Sequence, residues 1–256
     1  MNIQEFLSHE IPVSRVQVET EEDSKTLGRS CGLYISLKTG RLDRLNRFED
    51  VCACLVGQLR PLLEPYFGKP LCVCGIGNQD MPYDALGPET ARRFRPKAYE
   101  ALSLRSNFSQ IAVVCPSVSA LTNLSSETVI SSVASAISAA CILTIDACIC
   151  KDVERLCSAI DLSDNGMRTY WATANLRQST LGIPVVSIGV PTMIQAADLS
   201  AKGAIEPDVL FTPSGIVDVI PAAAFVIAAA ITQVAYPELD YESVKQYIEL
   251  FLHGII

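Results

Sequence analysis

Leu71-Cys-Val-Cys-Gly-Ile-Gly-Asn78, followed by Gln79-Asp-Met-Pro-Tyr-Asp84-Ala-Leu-Gly-Pro88, is the stretch that decides the fold. An apolar run ending in Gly-x-Gly-Asn predicts a buried strand and a tight turn, because glycine adopts positive φ at little cost and lets another backbone come close. Asp84 then precedes a helical pattern, where it either caps the helix or points into the cleft above the sheet. Both interpretations place Asp84 at the carboxyl end of a strand.

A second apolar run, Cys141-Ile-Leu-Thr-Ile-Asp146, ends in an aspartate in the same way. Ligands of open α/β sheets bind beyond the carboxyl ends of the strands, so two acids delivered there can face one site. Two carboxylates a few ångströms apart cannot both ionise cheaply, so one keeps a proton while the other acts as a base. Asp84 and Asp146 are therefore the candidate catalytic pair, although strand ends also carry aspartate for turn formation.

The remaining patterns alternate strands with helices. Alternating or apolar runs predict strands at residues 13–18, 32–37, 110–116, 159–164 and 182–190. Helical spacing predicts helices at residues 41–66, 125–140, 214–234 and 241–253, and the acidic run 19–23 is interpreted as a solvated turn. This order predicts a three-layer α/β/α sandwich with a mostly parallel sheet. We expect one domain, residues 1–256, with residues 1–40 as an amino-terminal β extension.

The composition excludes several classes of protein. Hydrophobic residues make up 49% of the chain and charged residues 19%, which excludes a largely disordered protein. A net charge of −8, without any Lys/Arg-rich run, argues against nucleic acid as a partner. Residues 220–235 are too short and too rich in alanine for a typical membrane span, so we expect a buried helix and no membrane. The polar amino terminus has no recognisable secretory signal, and a cytoplasmic location is expected.

The cysteine and histidine residues further limit the kinds of metal site and catalytic site that the chain can form. Six of the ten cysteines fall in Cys-x-Cys pairs, unlike the Cys-x-x-Cys of zinc and redox sites, and are predicted to be reduced, buried hydrophobic residues. The two histidines, His9 and His253, lie near the termini, so the α/β core offers no imidazole for a nickel or zinc site. The same shortage excludes Ser-His-Asp and Cys-His arrangements. No metal and no cofactor are expected.

Other polar and aromatic residues are candidates for supporting roles. Asn78 either polarises a substrate carbonyl or tolerates a left-handed backbone. Asp164, in Leu-Ser-Asp-Asn-Gly, is a third acid, an orienting partner of the pair, or the start of an Asx-turn. Tyr170 and Trp171 either line a peptide cleft or pack as an ordinary aromatic pair.

Five motifs, in order along the chain, resemble the germination protease family of spore-forming bacteria. They are Gly75-Ile-Gly-Asn78, Pro82-Tyr-Asp-Ala-Leu-Gly-Pro88, Thr144-Ile-Asp-Ala147, Ile160-Asp-Leu-Ser-Asp-Asn-Gly166 and the stretch from Thr180 to Val190-Pro-Thr192, with a weaker echo at Phe211-Thr-Pro-Ser214. The resemblance implies an endopeptidase that degrades small acid-soluble spore proteins in the forespore or spore core. It also implies that Asp84 and Asp146 are the two catalytic aspartates. The family is similar in fold to hydrogenase maturation endopeptidases, where the matching acids bind nickel together with a histidine.

Two loops depart from the family pattern. Residues 167–175 replace a glycine-rich stretch, and residues 116–123 replace the family's Pro-Gly-Val-x-x-x-Thr-Gly. Three hypotheses therefore stay open: an active endopeptidase, a catalytically silent relative that binds a peptide or protein, and a nickel-dependent maturation endopeptidase. Assembly into homo-oligomers is also left open.

The amino-terminal segment has two interpretations. Residues 4–10, Gln-Glu-Phe-Leu-Ser-His-Glu, look similar to the cleavage sites of germination proteases, which are made as zymogens and lose a short amino-terminal piece. The alternative is an ordinary frayed terminus.

Overall fold

The computed structural model describes residues 2–168, 175–199 and 209–252. The strands are β1 (Asn2–Ser8), β2 (Ile11–Val18), β3 (Gly32–Lys38), β4 (Leu71–Gly75), β5 (Ile111–Val114), β6 (Cys141–Cys150), β7 (Ala159–Ser163), β8 (Met167–Arg168), β9 (Asn175–Leu176), β10 (Val185–Gln195) and β11 (Leu210–Phe211). The helices are α1 (Glu21–Leu27), α2 (Phe48–Leu63), α3 (Leu86–Arg93), α4 (Pro96–Ala101), α5 (Ser119–Thr122), α6 (Ser126–Ala136), α7 (Gln178–Leu181), α8 (Ala196–Leu199), α9 (Ile216–Ala235) and α10 (Tyr241–Leu252). Single 3-10 turns lie at Leu42–Arg44, Glu64–Tyr66, Pro82–Asp84 and Val153–Arg155.

A nine-stranded mixed sheet forms the centre of the fold. Its order is β1-β2-β3-β7-β10-β6-β4-β5, with β11 paired to β10. Strands β10, β6, β4 and β5 are parallel to one another, and β1, β2, β3 and β7 join them in antiparallel pairs. Strands β4, β6 and β10 are almost continuously buried and apolar, as expected of parallel strands covered on both faces. The predicted α/β class is confirmed.

Strand β7 runs antiparallel, although the alternation of strands and helices predicts parallel units there. The connection from β6 to β7 spans residues 151–158 and holds only the turn Val153–Arg155. A parallel return needs a crossover of a dozen or more residues. The short connection therefore reverses β7, so the carboxyl end of β7 lies beside the amino ends of the parallel strands.

Helices cover both faces of the parallel part of the sheet. On one face α2, α3 and α10 pack around α9, and α3 also contacts β4 and β6. On the other face α6 packs against β4 and β5. This second core is formed by buried residues that include Cys72, Cys74, Ile130, Ala134 and Ile142. The parallel half of the molecule is thus the predicted three-layer arrangement.

Helix α9 is the central helix of the larger core. By length and composition alone it is apolar enough to cross a membrane, but 67% of its most apolar window is buried inside the protein. Its neighbours α2, α3 and α10 supply that burial. The alanine-rich composition, which allows close helix packing, matches the buried helix predicted from the sequence.

The acidic run at residues 19–23 is not a solvated turn, because it begins α1. The Thr20 hydroxyl accepts a hydrogen bond from the Asp23 N–H, and the Asp23 carboxylate accepts one from the Thr20 N–H. This capping box satisfies two helix-terminal donors, and acids in the first turn favour the positive end of the helix dipole. The longer predicted helices are found, although α2 and α6 are shorter than expected.

The amino terminus is an ordered hairpin. Every residue of β1 pairs with β2, from Asn2 opposite Gln17 to Ser8 opposite Ile11. The two connecting residues, His9 and Glu10, both have positive φ, as in the two-residue turns that match the twist of a hairpin. The interpretation of a frayed terminus is therefore wrong, while amino-terminal processing stays a prediction.

All ten cysteines are free thiols. Five of the six cysteines in the Cys-x-Cys pairs are buried, which confirms that they act as small core residues: Cys52, Cys54, Cys72, Cys74 and Cys150. The sixth, Cys148, is partly exposed and lines a groove described below.

Candidate active site

The turn after β4 is held by close backbone contacts. A Cβ atom on Gly75 would lie 2.3 Å from the carbonyl oxygen of Gly87, and one on Gly77 would lie 1.9 Å from that of Asp84. Gly77 also has a φ of +120°, which L side chains rarely adopt. The Gly-x-Gly sequence is therefore required by the turn that carries Asp84.

Asp84 ends the 3-10 turn Pro82–Asp84 and is 8% exposed. Its Oδ2 atom accepts a hydrogen bond of 2.8 Å from the backbone N–H of Asn78. The N-cap of α3 is Ala85, which makes no side-chain cap bond, so the interpretation of Asp84 as a helix cap is wrong. Burial raises the pKa of Asp84, and the hydrogen bond from Asn78 opposes that rise.

Asp146 lies on β6, one residue beyond the end of β4. The last residue of β4, Gly75, pairs with Ile145, while β10 continues to pair with β6 as far as Cys150. The expectation that the β6 strand ends at Asp146 is therefore wrong, since the long partner β10 extends it. The buried Asp146 side chain nevertheless lies at the carboxyl end of β4, where the Asp84 turn begins.

The structure brings Asp84 and Asp146 close enough for their charges to interact. Burial raises the pKa of Asp146 well above its usual range, and the negative charge of Asp84 raises it further. A hydrogen bond from the backbone of Ala147 partly opposes these effects. Burial and the neighbouring charge thus both favour the protonated form of Asp146.

Asn78 contributes its backbone to the site. Its N–H binds Asp84, and its side-chain Oδ1 accepts a hydrogen bond of 3.0 Å from the N–H of Asp80. The positive φ in this turn belongs to Gly77 and not to Asn78. The interpretation of Asn78 as a left-handed residue is therefore wrong.

Asp164 lies away from the pair. Because β7 is antiparallel to β10, Ser163 pairs with Ser187, two residues before the glycine that pairs with Asp146. Asp164 follows Ser163 in the direction away from Asp146. Its Oδ1 atom accepts a hydrogen bond of 2.7 Å from the N–H of Leu33 and so joins the end of β7 to the start of β3.

A groove of about 940 Å³ crosses strands β3, β7 and β10. It lies on the sheet face opposite α2 and α9, since its lining residue Gly189 alternates with Ile188 and Val190 of the core. One row of paired positions crosses its floor from Ser36 through Asp161 to Gly189, and the next position in that row is Asp146. Asp146 thus lies in the row next to the groove floor, although neither Asp146 nor Asp84 lines the groove.

An ion pair on the groove floor was not singled out from the sequence. The Arg155 Nη2 atom lies 2.6 and 2.5 Å from the two carboxylate oxygens of Asp161, and 3.4 Å from the Ser36 hydroxyl. Both side chains are about one-third exposed, at 31% and 33%. The alternation of side chains along β7 could have indicated Asp161, because it places Asp161 on the same face of the sheet as Ser163. Further cations along the groove are Arg29, Lys38 and Arg177.

Three residues weighed from the sequence, Tyr170, Trp171 and His253, lie outside the described residues. Within residues 2–168, 175–199 and 209–252, no group of three or more His, Cys, Asp or Glu side chains is arranged to hold a metal ion. The metal-free site stays a prediction.

Comparison with known proteins places the chain in a family. The family model described as germination protease matches residues 1–207, which include both Asp84 and Asp146. The chain belongs to the germination protease family. The resemblance carried by the five motifs is thereby confirmed.

The relatives differ in length from this member of the germination protease family. The germination proteases of Clostridium tetani and Caldanaerobacter subterraneus are 27% and 28% identical to it over 210 residues. Those matches cover 78% of this chain but 65% of each relative, so the chain spans less than two thirds of their length. The germination protease of Clostridium perfringens is 21% identical over 291 aligned positions, covering 94% of this chain and 90% of the relative.

Among solved structures, the NiFe hydrogenase maturation protease HycI from Thermococcus kodakarensis aligns with a TM-score of 0.37 and 14% identity. The alignment covers 68% of this chain and 99% of that one. So distant a likeness has no bearing on function.

Proposed function

We propose that this germination protease family member is an endopeptidase that activates water between Asp84 and Asp146. The observation that carries the proposal is a pair of buried carboxylates, 8% and 5% exposed, in which burial and then the charge of Asp84 raise the pKa of Asp146. A shared proton supplies both a base for water and an acid for the departing amine. Peptide hydrolysis needs both functions.

The two environments assign different roles to the two acids. Asp146 has the more strongly raised pKa and keeps its proton, so it protonates the departing amine. Asp84 accepts the Asn78 N–H, which stabilises its charged form, so it takes the proton from water. Environments that push the pKa values of two carboxyl groups apart are the general basis of such a division.

For the substrate, we propose a small acid-soluble spore protein, degraded in the forespore or spore core. Family membership supports this class of substrate. The groove supports it physically, because its volume suits an extended peptide segment. An extended segment over Gly189 would pass between Asp146 and the Arg155–Asp161 ion pair.

Incubation of the purified protein with a small acid-soluble spore protein from pH 4 to pH 8 tests the proposal. We expect cleavage by the wild type and a loss of about 100-fold to 10,000-fold in kcat for Asp84→Asn and for Asp146→Asn, with folding retained. Asp164→Asn is the matched control, since asparagine keeps an oxygen for the Leu33 N–H at a position away from the pair. An inactive wild type would overturn the proposal and favour a silent relative that binds peptides in the groove.

A further inference from the structure

Strand β10 carries one extra residue near its carboxyl end. Pro191 pairs with Cys148, and Met193 pairs with Ile149, the very next residue of β6, so Thr192 is a β-bulge. A bulge bends its strand and changes the direction of a side chain, and bulges are common beside active sites. Thr192 is fully buried.

The bulge directs Thr192 towards the turn that carries Asp84. The Thr192 hydroxyl donates a hydrogen bond of 2.8 Å to the carbonyl oxygen of Tyr83, the residue immediately before Asp84. The carbonyl oxygen of Thr192 accepts one of 2.9 Å from the hydroxyl of Thr212. Two hydrogen bonds therefore connect Thr212, through Thr192, to the backbone that positions the Asp84 carboxylate.

The Thr192–Tyr83 hydrogen bond connects the turn that carries Asp84 to the strand beside Asp146. β10 pairs with β6 along Asp146, since Gly189 lies opposite that residue. The Asp84 turn is fixed to its own strand by the close approach at Gly77 and by the Asn78 N–H. The Thr192 hydroxyl adds a connection from this turn to the strand beside Asp146.

We propose that Thr192 and Thr212 are positioning residues that hold Asp84 opposite Asp146. The proposal rests on the proposed function of that pair, and it accounts for the Val190-Pro-Thr192 and Phe211-Thr-Pro-Ser214 segments. Their hydroxyls bind backbone carbonyls and act on the carboxylates only through the turn.

Four single variants test the proposal by steady-state kinetics. Thr192→Val keeps the shape of the side chain and removes the donor, and we expect kcat to fall about 100-fold, the cost of displacing a reacting group by about 1 Å, with KM little changed. Thr192→Ser keeps the donor and should restore most of the activity. Thr212→Val should cost about fivefold, because it removes one neutral hydrogen bond one step further away.

Thr232→Val is the matched control. Thr232 is also fully buried, and its hydroxyl also donates over 2.8 Å to a carbonyl oxygen, but that carbonyl belongs to Ala228 of its own helix α9. We expect this variant to keep wild-type kcat, so that the loss of a buried threonine hydroxyl as such is separated from the loss of the Tyr83 contact.

A second readout does not depend on peptidase activity. Carbon-13 NMR of the aspartate carboxyl groups follows the titration of the pair, and the upper titration step should move towards ordinary aspartate in Thr192→Val, because separation weakens the repulsion between the two charges. The Cys148 thiol interacts electrostatically with Asp146 and also with Asp161, Arg155 and Cys150, and these groups are the same in every variant. Thr192→Ser and Thr232→Val should titrate like the wild type.

The outcomes separate this proposal from the proposed function. If the wild type cleaves nothing, the proposed function falls and the titration alone decides the positioning role. A wild-type titration curve in Thr192→Val, or a Thr192→Ser as impaired as Thr192→Val, would overturn the positioning role. If Thr192→Val does not fold, Thr212→Val decides: a shift of the upper step in the same direction supports the role, and an unchanged curve overturns it.

Discussion

The carboxylate of Asp84 accepts its hydrogen bond from the backbone N–H of Asn78, over 2.8 Å. The Asn78 side chain is engaged elsewhere, because its Oδ1 atom accepts from the N–H of Asp80. A backbone donor survives substitution by any residue except proline. The charge on Asp84 is therefore stabilised by the backbone at position 78 and not by the Asn78 side chain.

Asn78→Ala should consequently lower kcat by less than tenfold. The variant keeps the donor to Asp84 and loses only the Asx-turn bond to Asp80, which costs about 1 kcal/mol of stability. Cleavage of a small acid-soluble spore protein, with thermal unfolding alongside, measures both effects. A fall of 100-fold or more in a folded variant would show instead that the Asn78 amide contacts the substrate.

Asp146→Asn should be more stable than the wild type at pH 8. The pKa of Asp146 is raised in the folded state, so its contribution to stability is complete below the ordinary pKa of about 3.9 and is lost as the pH rises through the folded pKa. Asparagine cannot ionise and avoids that loss. Thermal unfolding at pH 3.5, 5.5 and 8 should therefore show a gain that is largest at pH 8 and absent at pH 3.5.

The exposed Asp164→Asn variant is the control for this comparison and should gain nothing at pH 8. An Asp146→Asn variant that is less stable than the wild type at pH 8 would show that ionisation of Asp146 does not lower the free energy of unfolding.

Gly77→Ala should cost more stability than Gly40→Ala. Both glycines have positive φ, +120° and +71°, but a Cβ on Gly40 meets no atom within 4 Å, whereas one on Gly77 meets the Asp84 carbonyl oxygen. We expect about 1–2 kcal/mol at Gly40 from the backbone conformation alone, and a further 1–3 kcal/mol, roughly, at Gly77 from the clash. Urea unfolding measures both free energies, and equal costs would contradict the close approach at Gly77.

The purified protein should cleave its substrate without a bound metal. In the proposed mechanism the two carboxylates supply both the acid and the base, so nickel and zinc should be well below one atom per chain by elemental analysis. A chelator should leave the cleavage rate unchanged. One nickel or zinc atom per chain, removed by a chelator together with the activity, would favour the metal-dependent alternative.

Local signals were sufficient to predict much of the site. The Gly75-x-Gly77 turn and the position of Asp84 beside it depend on short stretches of chain, and both are found. The capping box at Thr20 is equally local, because Thr20 and Asp23 are only three residues apart, whereas the charge of the acidic run does not distinguish a helix start from a turn. The antiparallel direction of β7 could also have been predicted from the sequence, because its connection from β6 is too short for a parallel return.

The remaining features depend on pairing between distant segments. The bulge at Thr192 exists only because β10 has one more residue than β6 over the same length, and no local pattern records that difference. Asp161 is close to Asp146 only because Gly189 pairs with both. Such relationships follow from the register of the sheet and need the folded structure.

The pH titration of the two carboxyl groups in the wild-type protein tests the central claim most directly. Carbon-13 NMR resolves the two signals, and the spectra of Asp84→Asn and Asp146→Asn assign them. The shared-proton account predicts one carboxyl group that titrates well above the ordinary value of about 3.9, and a lower pKa for each aspartate when the other is replaced by asparagine. Two carboxyl groups that both titrate near 3.9, each unaffected by replacement of the other, would contradict it.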